Sequence, residues 1–167
     1  TIHPEAWIRD WFERGVEGFE RLAGKKPSSF GAPAWLIDDR VLAILREYRH
    51  VAYLSCTRAP CPFVHQGTDL VEIPSDLPCF EEIGFNAGNG PLLEALGSGG
   101  IHVLPVHAEV EGGPMGERFV SLIRAVKTMD YCILPLGEIL PLLDRGSLTT
   151  RRFRLRLLPG RSVACAV

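Results

Sequence analysis

The chain has 167 residues, 46% hydrophobic and 23% charged, which is enough for one domain with its own core and too little for two. No run approaches the roughly 20 apolar residues of a membrane span, and no charged-then-apolar leader opens the chain, so a membrane-spanning protein is not expected. With 18 Lys and Arg against 20 Asp and Glu the formal charge is -2, which argues against a general nucleic-acid binder, because neutralising phosphates needs a net basic face.

The charge is unevenly spread. Residues 1–148 hold 13 bases and all 20 acids, a net -7, while residues 149–167 hold five arginines and no acid, so a cationic tail is attached to an acidic body. Five cysteines, Cys56, Cys61, Cys79, Cys132 and Cys165, are an odd number scattered through an ordinary core composition. Reduced thiols and a cytoplasmic location are the expectation. Cys56, Cys61 and His65 form a C-x4-C-x3-H group, but no fourth ligand follows at useful spacing, and ordinary buried or loop thiols are the better assignment than a zinc knuckle.

Pro4 suits a first helical position, and Ile8, Phe12, Val16, Phe19 and Leu22 recur at helical spacing until Gly24, which predicts a helix over about 4–23. Gly15 and Gly18 each weaken it by roughly 1 kcal/mol relative to Ala, so packing must hold it. A strand running into a loop is expected over 29–35. Asp38 can cap a second helix whose Val41, Ile44, Leu45 and Tyr48 share a face, and residues 51–55 follow as a short strand. Residues 70–74 predict another strand and 90–97 a helix. Residues 101–107 are almost wholly apolar between two histidines, as expected of a strand covered on both sides, and Phe119, Leu122, Ile123 and Val126 mark a helix behind it. This predicts a parallel strand with its crossover helix. Residues 131–135 repeat the pattern before a short helix near 137–143. Arg152 to Leu157 alternate strictly, then meet Pro159-Gly160 and an apolar run over 163–167, which predicts a terminal hairpin with one arginine-lined face. The expected class is α/β with a mainly parallel sheet, in one domain over 1–167.

The strongest local signal for chemistry is His107-Ala108-Glu109-Val110-Glu111-Gly112-Gly113, between an apolar segment and a helix. In parallel α/β folds sites are built at the C-terminal ends of strands. A histidine there can donate a proton to a leaving group near neutral pH, and flanking carboxylates can hold its tautomer. His102 lies five positions earlier and points to the opposite face of an ideal strand, so the two histidines are not expected to share a metal. Trp7, Trp11 and Trp35 could stack on sugar rings, although the first two lie on an amphipathic helix where packing is the simpler role.

Taken in order with Gly24-Lys25-Lys26-Pro27, Phe30-Gly31-Ala32-Pro33-Ala34-Trp35, Tyr53-Leu54-Ser55-Cys56-Thr57-Arg58, Ile73-Pro74-Ser75-Asp76-Leu77-Pro78 and Pro135-Leu136-Gly137-Glu138, the His107 segment resembles the polysaccharide deacetylase family with the NodB homology fold. The likeness is closest to its members that deformylate a lipid-linked formamido sugar. The resemblance implies the C-terminal part of a distorted (β/α) barrel with a C-terminal β-hairpin, in which the upstream, metal-binding half of the same domain is a partner. It implies hydrolysis of an amino-sugar amide by a divalent metal, zinc by preference, held by an aspartate and an H-x-x-x-H pair. His107 matches the histidine that protonates the leaving amine, with Glu109 and Glu111 as supporting residues and Trp35 and Arg58 as substrate-binding residues. No H-x-x-x-H occurs in the chain, so the chain by itself is expected to hold no catalytic metal and to be inactive. Leu36 stands where the family has an arginine, and Cys56 where the deformylases have an aspartate. The implied partner is an amino-sugar or lipid-linked sugar substrate, with no nucleic acid. Arg152, Arg154 and Arg156 are a candidate contact with the membrane surface, at its inner face, though guarding an exposed edge strand is the simpler role. Two alternatives remain open at this point: a catalytically dead domain that binds a glycan or lipid phosphate, and an unrelated α/β interaction domain.

Overall fold

The computed structural model describes residues 3–167. Helix α1 (Glu5–Ala23) starts after Pro4 and closes where Gly24, at φ 68°, donates its N–H to the Glu20 carbonyl at 2.9 Å. Its Ile8 and Phe12 pack on the first core, the latter against Phe30 and Tyr48, while Trp7 and Trp11 are exposed. The tryptophans therefore belong to neither the core nor the cleft described below. Strand β1 (Ser29–Phe30) leads into a 3-10 turn at Pro33–Trp35, and α2 (Asp39–Leu45) follows. The predicted Asp38 cap is present, with its carboxylate accepting from the Arg40 and Val41 amides at 3.0 and 3.2 Å. This fixes the start of a helix that buries Val41, Leu42, Ile44 and Leu45.

Strands β2 (Tyr53–Leu54), β3 (Phe63–His65), β4 (Val71–Glu72) and β5 (Thr150–Arg151) join β1 in one sheet, ordered β1-β2-β4-β3-β5. Three of its pairings are parallel and β3 runs against β4. Helices α3 (Phe80–Ile83), α4 (Gly90–Leu96), α5 (Ala108–Glu111), α6 (Gly116–Thr128) and α7 (Leu136–Ile139) follow the fourth strand, and a second core of Leu77, Phe80, Leu92, Leu96, Met115 and Leu122 binds α3, α4 and α6 together. The expected hairpin closes the chain as β6 (Leu155–Arg156) antiparallel to β7 (Cys165–Ala166), with Leu155 opposite Ala166. β7 is buried, and its Ala166 carbonyl accepts from the Arg58 amide at 2.8 Å, which ties the hairpin to the loop after β2.

Two expected strands are corrected. Residues 101–107 and 131–135 form no strand, because neither stretch has a ladder partner among the described residues; one long bond, Leu77 N–H to the Val103 carbonyl at 3.3 Å, is the nearest approach to pairing at the first. Nor are they covered on both sides. Ile101, Val106, Ile133 and Leu134 are exposed along an apolar groove of about 400 Å³ that Leu104, Phe119 and Ile139 also line.

Candidate active site

His107 occupies the N-cap of α5, and its backbone N–H donates to Glu111 Oε2 at 2.7 Å. Glu111, one turn on, is buried at 3% exposure, so its carboxylate caps the helix from within and fixes the backbone that carries the imidazole. The two glycines that follow have a steric reason: a Cβ at Gly112 would lie 2.3 Å from the Ala108 carbonyl oxygen.

The second wall comes from α3. Cys79 is its N-cap and Glu82, its third residue, accepts the Cys79 amide at 3.1 Å in a reciprocal cap. That geometry presents Glu81 toward α5, where its Oε1 lies 2.9 Å from His107 Nδ1. Nδ1 is buried while the His107 side chain is 41% exposed, so the other edge of the ring is left to the cleft.

The third wall is Trp35, which with Ala34 adopts φ 55°. Left-handed backbone at two consecutive residues with a Cβ costs roughly 1–2 kcal/mol each, and the surroundings hold it. The Ala34 carbonyl accepts from Arg161 at 3.2 Å, and the guanidiniums of Arg58 and Arg161 both lie 4.8 Å from the Trp35 ring centroid. Arg161 arrives on the loop between β6 and β7, where Gly160 has φ 77° and presses so closely on α3 that a Cβ would sit 2.6 Å from the Glu82 carbonyl oxygen. Glu82 joins these parts, taking Arg58 at 2.9 Å and Arg161 at 3.0 Å. Burial alone would raise its carboxyl pKa, but the hydrogen bonds from Arg58 and Arg161 outweigh that and hold it below the usual 4.5. Burial pushes the Cys79 thiol up to about 11, so it is protonated at neutral pH.

Between these walls is a cleft of about 670 Å³ lined by Trp35, Leu36, Cys79, Glu81, Glu82, His107 and Arg161. Of the candidate catalytic and substrate-binding residues read from the sequence, it collects His107 and Trp35. Arg58 stands behind Trp35 and is committed to the protein, with Nε and Nη2 donating to the Ser75 and Leu77 carbonyls. Glu109 is exposed on α5 and does not line the cleft, and Glu111 acts through the backbone. The carboxylate that meets the imidazole is Glu81, which sequence spacing could not find, although it lies three residues past the Ile73-to-Pro78 segment that carries part of the resemblance. Leu36, in place of the family's arginine, is 43% exposed on the cleft.

The other histidines lie elsewhere. His102 bonds Asp76 at 2.6 Å, away from His107. His65 is fully buried against Glu72 at 2.9 Å, and Glu72 also takes the Cys56 and Thr57 amides at 2.6 and 2.7 Å. Cys56 is buried beside that network and Cys61 is exposed, so the C-x4-C-x3-H group is not assembled. Among the described residues one group of three ligand types is brought together: Cys79, Glu81 and His107, whose ligand atoms lie within 4.8 Å of one another.

No family profile matches the chain. Its fold is that of a polysaccharide deacetylase: it superposes on a crystal structure from Mycobacterium smegmatis assigned to that class with a TM-score of 0.71, covering 93% of this chain and 62% of that one at 22% identity. In sequence it is similar to the 4-deoxy-4-formamido-L-arabinose-phosphoundecaprenol deformylase ArnD assigned in Shewanella sediminis (strain HAW-EB3), with 24% identity over 145 residues. Both comparisons agree with the resemblance to the NodB homology family. The alignment covers 83% of this chain, which spans about half, 47%, of that relative's length.

Proposed function

We propose that this chain is the proton-donor half of a hydrolase that removes a formyl or acetyl group from an amino sugar, carried on a lipid phosphate in the deformylase-like case. His107 is the general acid, protonating the amine as its C–N bond breaks. Glu81 orients the ring, Glu111 holds its backbone, and Trp35, backed by Arg58 and Arg161, forms the wall against which the sugar lies. The observation that carries the reading is the pose of His107, with Nδ1 turned in to Glu81 and the opposite edge toward the cleft.

The metal that the resemblance implies does not match the donors at hand. Its aspartate and H-x-x-x-H pair have no counterpart here, and Cys79, Glu81 and His107 are a different set. The reading therefore assigns the metal and the water-activating base to residues outside this sequence, in an upstream half of the same domain. No helix among the described residues is long and apolar enough to cross a membrane. Contact with a lipid-linked substrate is assigned to Arg154 and Arg156, which are exposed beside the equally exposed Leu155 and Leu157.

The test compares the chain alone with the protein extended by the residues its reading frame encodes ahead of residue 1, on formamido- and acetamido-sugar substrates with zinc present. Activity confined to the extended protein supports the reading. An extended protein that binds such sugars without hydrolysing them favours a binding domain, the reading to which the exposed Leu36 points.

A further inference from the structure

We infer that Cys79, Glu81 and His107 form a binding site for a borderline-soft divalent cation such as zinc, separate from the ligand set that the family resemblance implies. Three unlike donors converge from two segments, the cap and first turn of α3 and the N-cap of α5, with their ligand atoms within 4.8 Å of one another. An independent observation points to a ligand at this site. Glu81 Oε2 is a buried atom without a hydrogen-bond partner, and the buried His107 Nδ1 beside it has only Glu81 Oε1, at 2.9 Å. Buried polar atoms are ordinarily satisfied, so an orphaned carboxylate oxygen beside an imidazole nitrogen and a thiol is what a bound cation would complete.

The donor chemistry selects the ion. A thiolate, an imidazole nitrogen and a carboxylate suit zinc, whereas magnesium and calcium prefer oxygen alone. Zinc bond lengths near 2.0–2.3 Å place tetrahedral ligands about 3.3–3.8 Å apart, so side-chain movements of about 1 Å close the set. The thiol loses its proton to the buffer as the sulfur–metal bond forms. Thiolate and carboxylate then cancel the dication's charge, and a fourth position faces the cleft for water. A cation on Nδ1 leaves the cleft-facing ring nitrogen as the N–H of a neutral imidazole, a far weaker acid than the imidazolium, so occupancy suppresses proton donation. That consequence rests on the proposed function, whereas binding itself does not.

The test is titration of the reduced, metal-free chain with Co²⁺. The expected result is one equivalent bound with a thiolate-to-cobalt charge-transfer band, displaced by Zn²⁺. Cys79→Ser should abolish the band, while Glu81→Gln and His107→Ala should each weaken binding by roughly 10- to 100-fold or more. Cys61→Ser and Cys132→Ser, at the exposed thiols, should change nothing. If Cys79→Ser does not fold, the two cleft variants carry the same comparison. Absence of the band in the wild type, its persistence in Cys79→Ser, its loss in Cys61→Ser or Cys132→Ser, or unchanged affinity in Glu81→Gln and His107→Ala would overturn the site.

Discussion

Glu81 Oε1 and His107 Nδ1 meet at 2.9 Å across the gap between α3 and α5, and this contact sets which edge of the imidazole reaches the cleft. The pairing has no counterpart in sequence spacing. It is made by the second core, in which Leu77 and Phe80 of one segment and Val110 and Met115 of the other pack together.

If Glu81 positions the ring, Glu81→Gln in the extended, active protein should lower kcat on the order of 10²-fold, the scale of a misplaced catalytic group, with KM little changed. Glu81→Asp should recover part of the loss. Steady-state kinetics on an amide substrate decides it, and equal losses in the two variants with an unfolded circular dichroism spectrum would mean that Glu81 serves only the fold.

Glu82 gives a pH prediction. Its folded-state pKa is depressed by Arg58 and Arg161, so the stability it contributes is present above its unfolded value near 4.5 and is lost as pH falls through the lower folded value. Glu82→Gln, which leaves two nearly buried guanidiniums without their anion, should cost about 3 kcal/mol at pH 7. In acid the gap should narrow. Urea unfolding of both proteins at pH 7 and below about pH 4 reads this directly, and a gap independent of pH would contradict the assignment.

Much of this framework is legible in the sequence because it is local. The apolar spacing of α1, the Asp38 cap of α2 and the alternation of the β6 segment each depend on neighbouring residues, and each is present. The apolar runs at 101–107 and 131–135 read as strands because periodicity reports apolar character and not whether a ladder partner is there. β3 escapes notice because Pro60 and Pro62 precede a run of three residues. Within the site, His107 is legible from its motif, yet the choice among nearby carboxylates is not. Glu109 and Glu111 look equivalent, and only the turn of α5 sends one inward to the backbone and leaves the other in solvent. Glu81 requires the tertiary packing of two distant helices.

The arginine-lined segment is tested by charge reversal. Arg152 is paired with Asp39 at 3.0 Å, so the prediction falls on its neighbours: Arg154→Glu with Arg156→Glu should weaken binding to vesicles carrying polyprenyl phosphate by about 1 kcal/mol per reversed charge or more, in a salt-dependent way. Binding that is unchanged at low salt would leave these residues guarding an exposed edge strand.

Proton donation by His107 to the leaving amine is tested by kcat/KM of His107→Ala in the extended protein on two substrates, a sugar amide and an activated analogue with a weakly basic leaving group. The expected loss is roughly 10²- to 10⁴-fold on the amide, with partial recovery on the activated analogue, which needs less protonation. Folding should change little, since the ring is 41% exposed on the cleft and its backbone is held by Glu111. Full kcat/KM on the amide in His107→Ala would show that the ring donates no proton and leave His107 a structural residue.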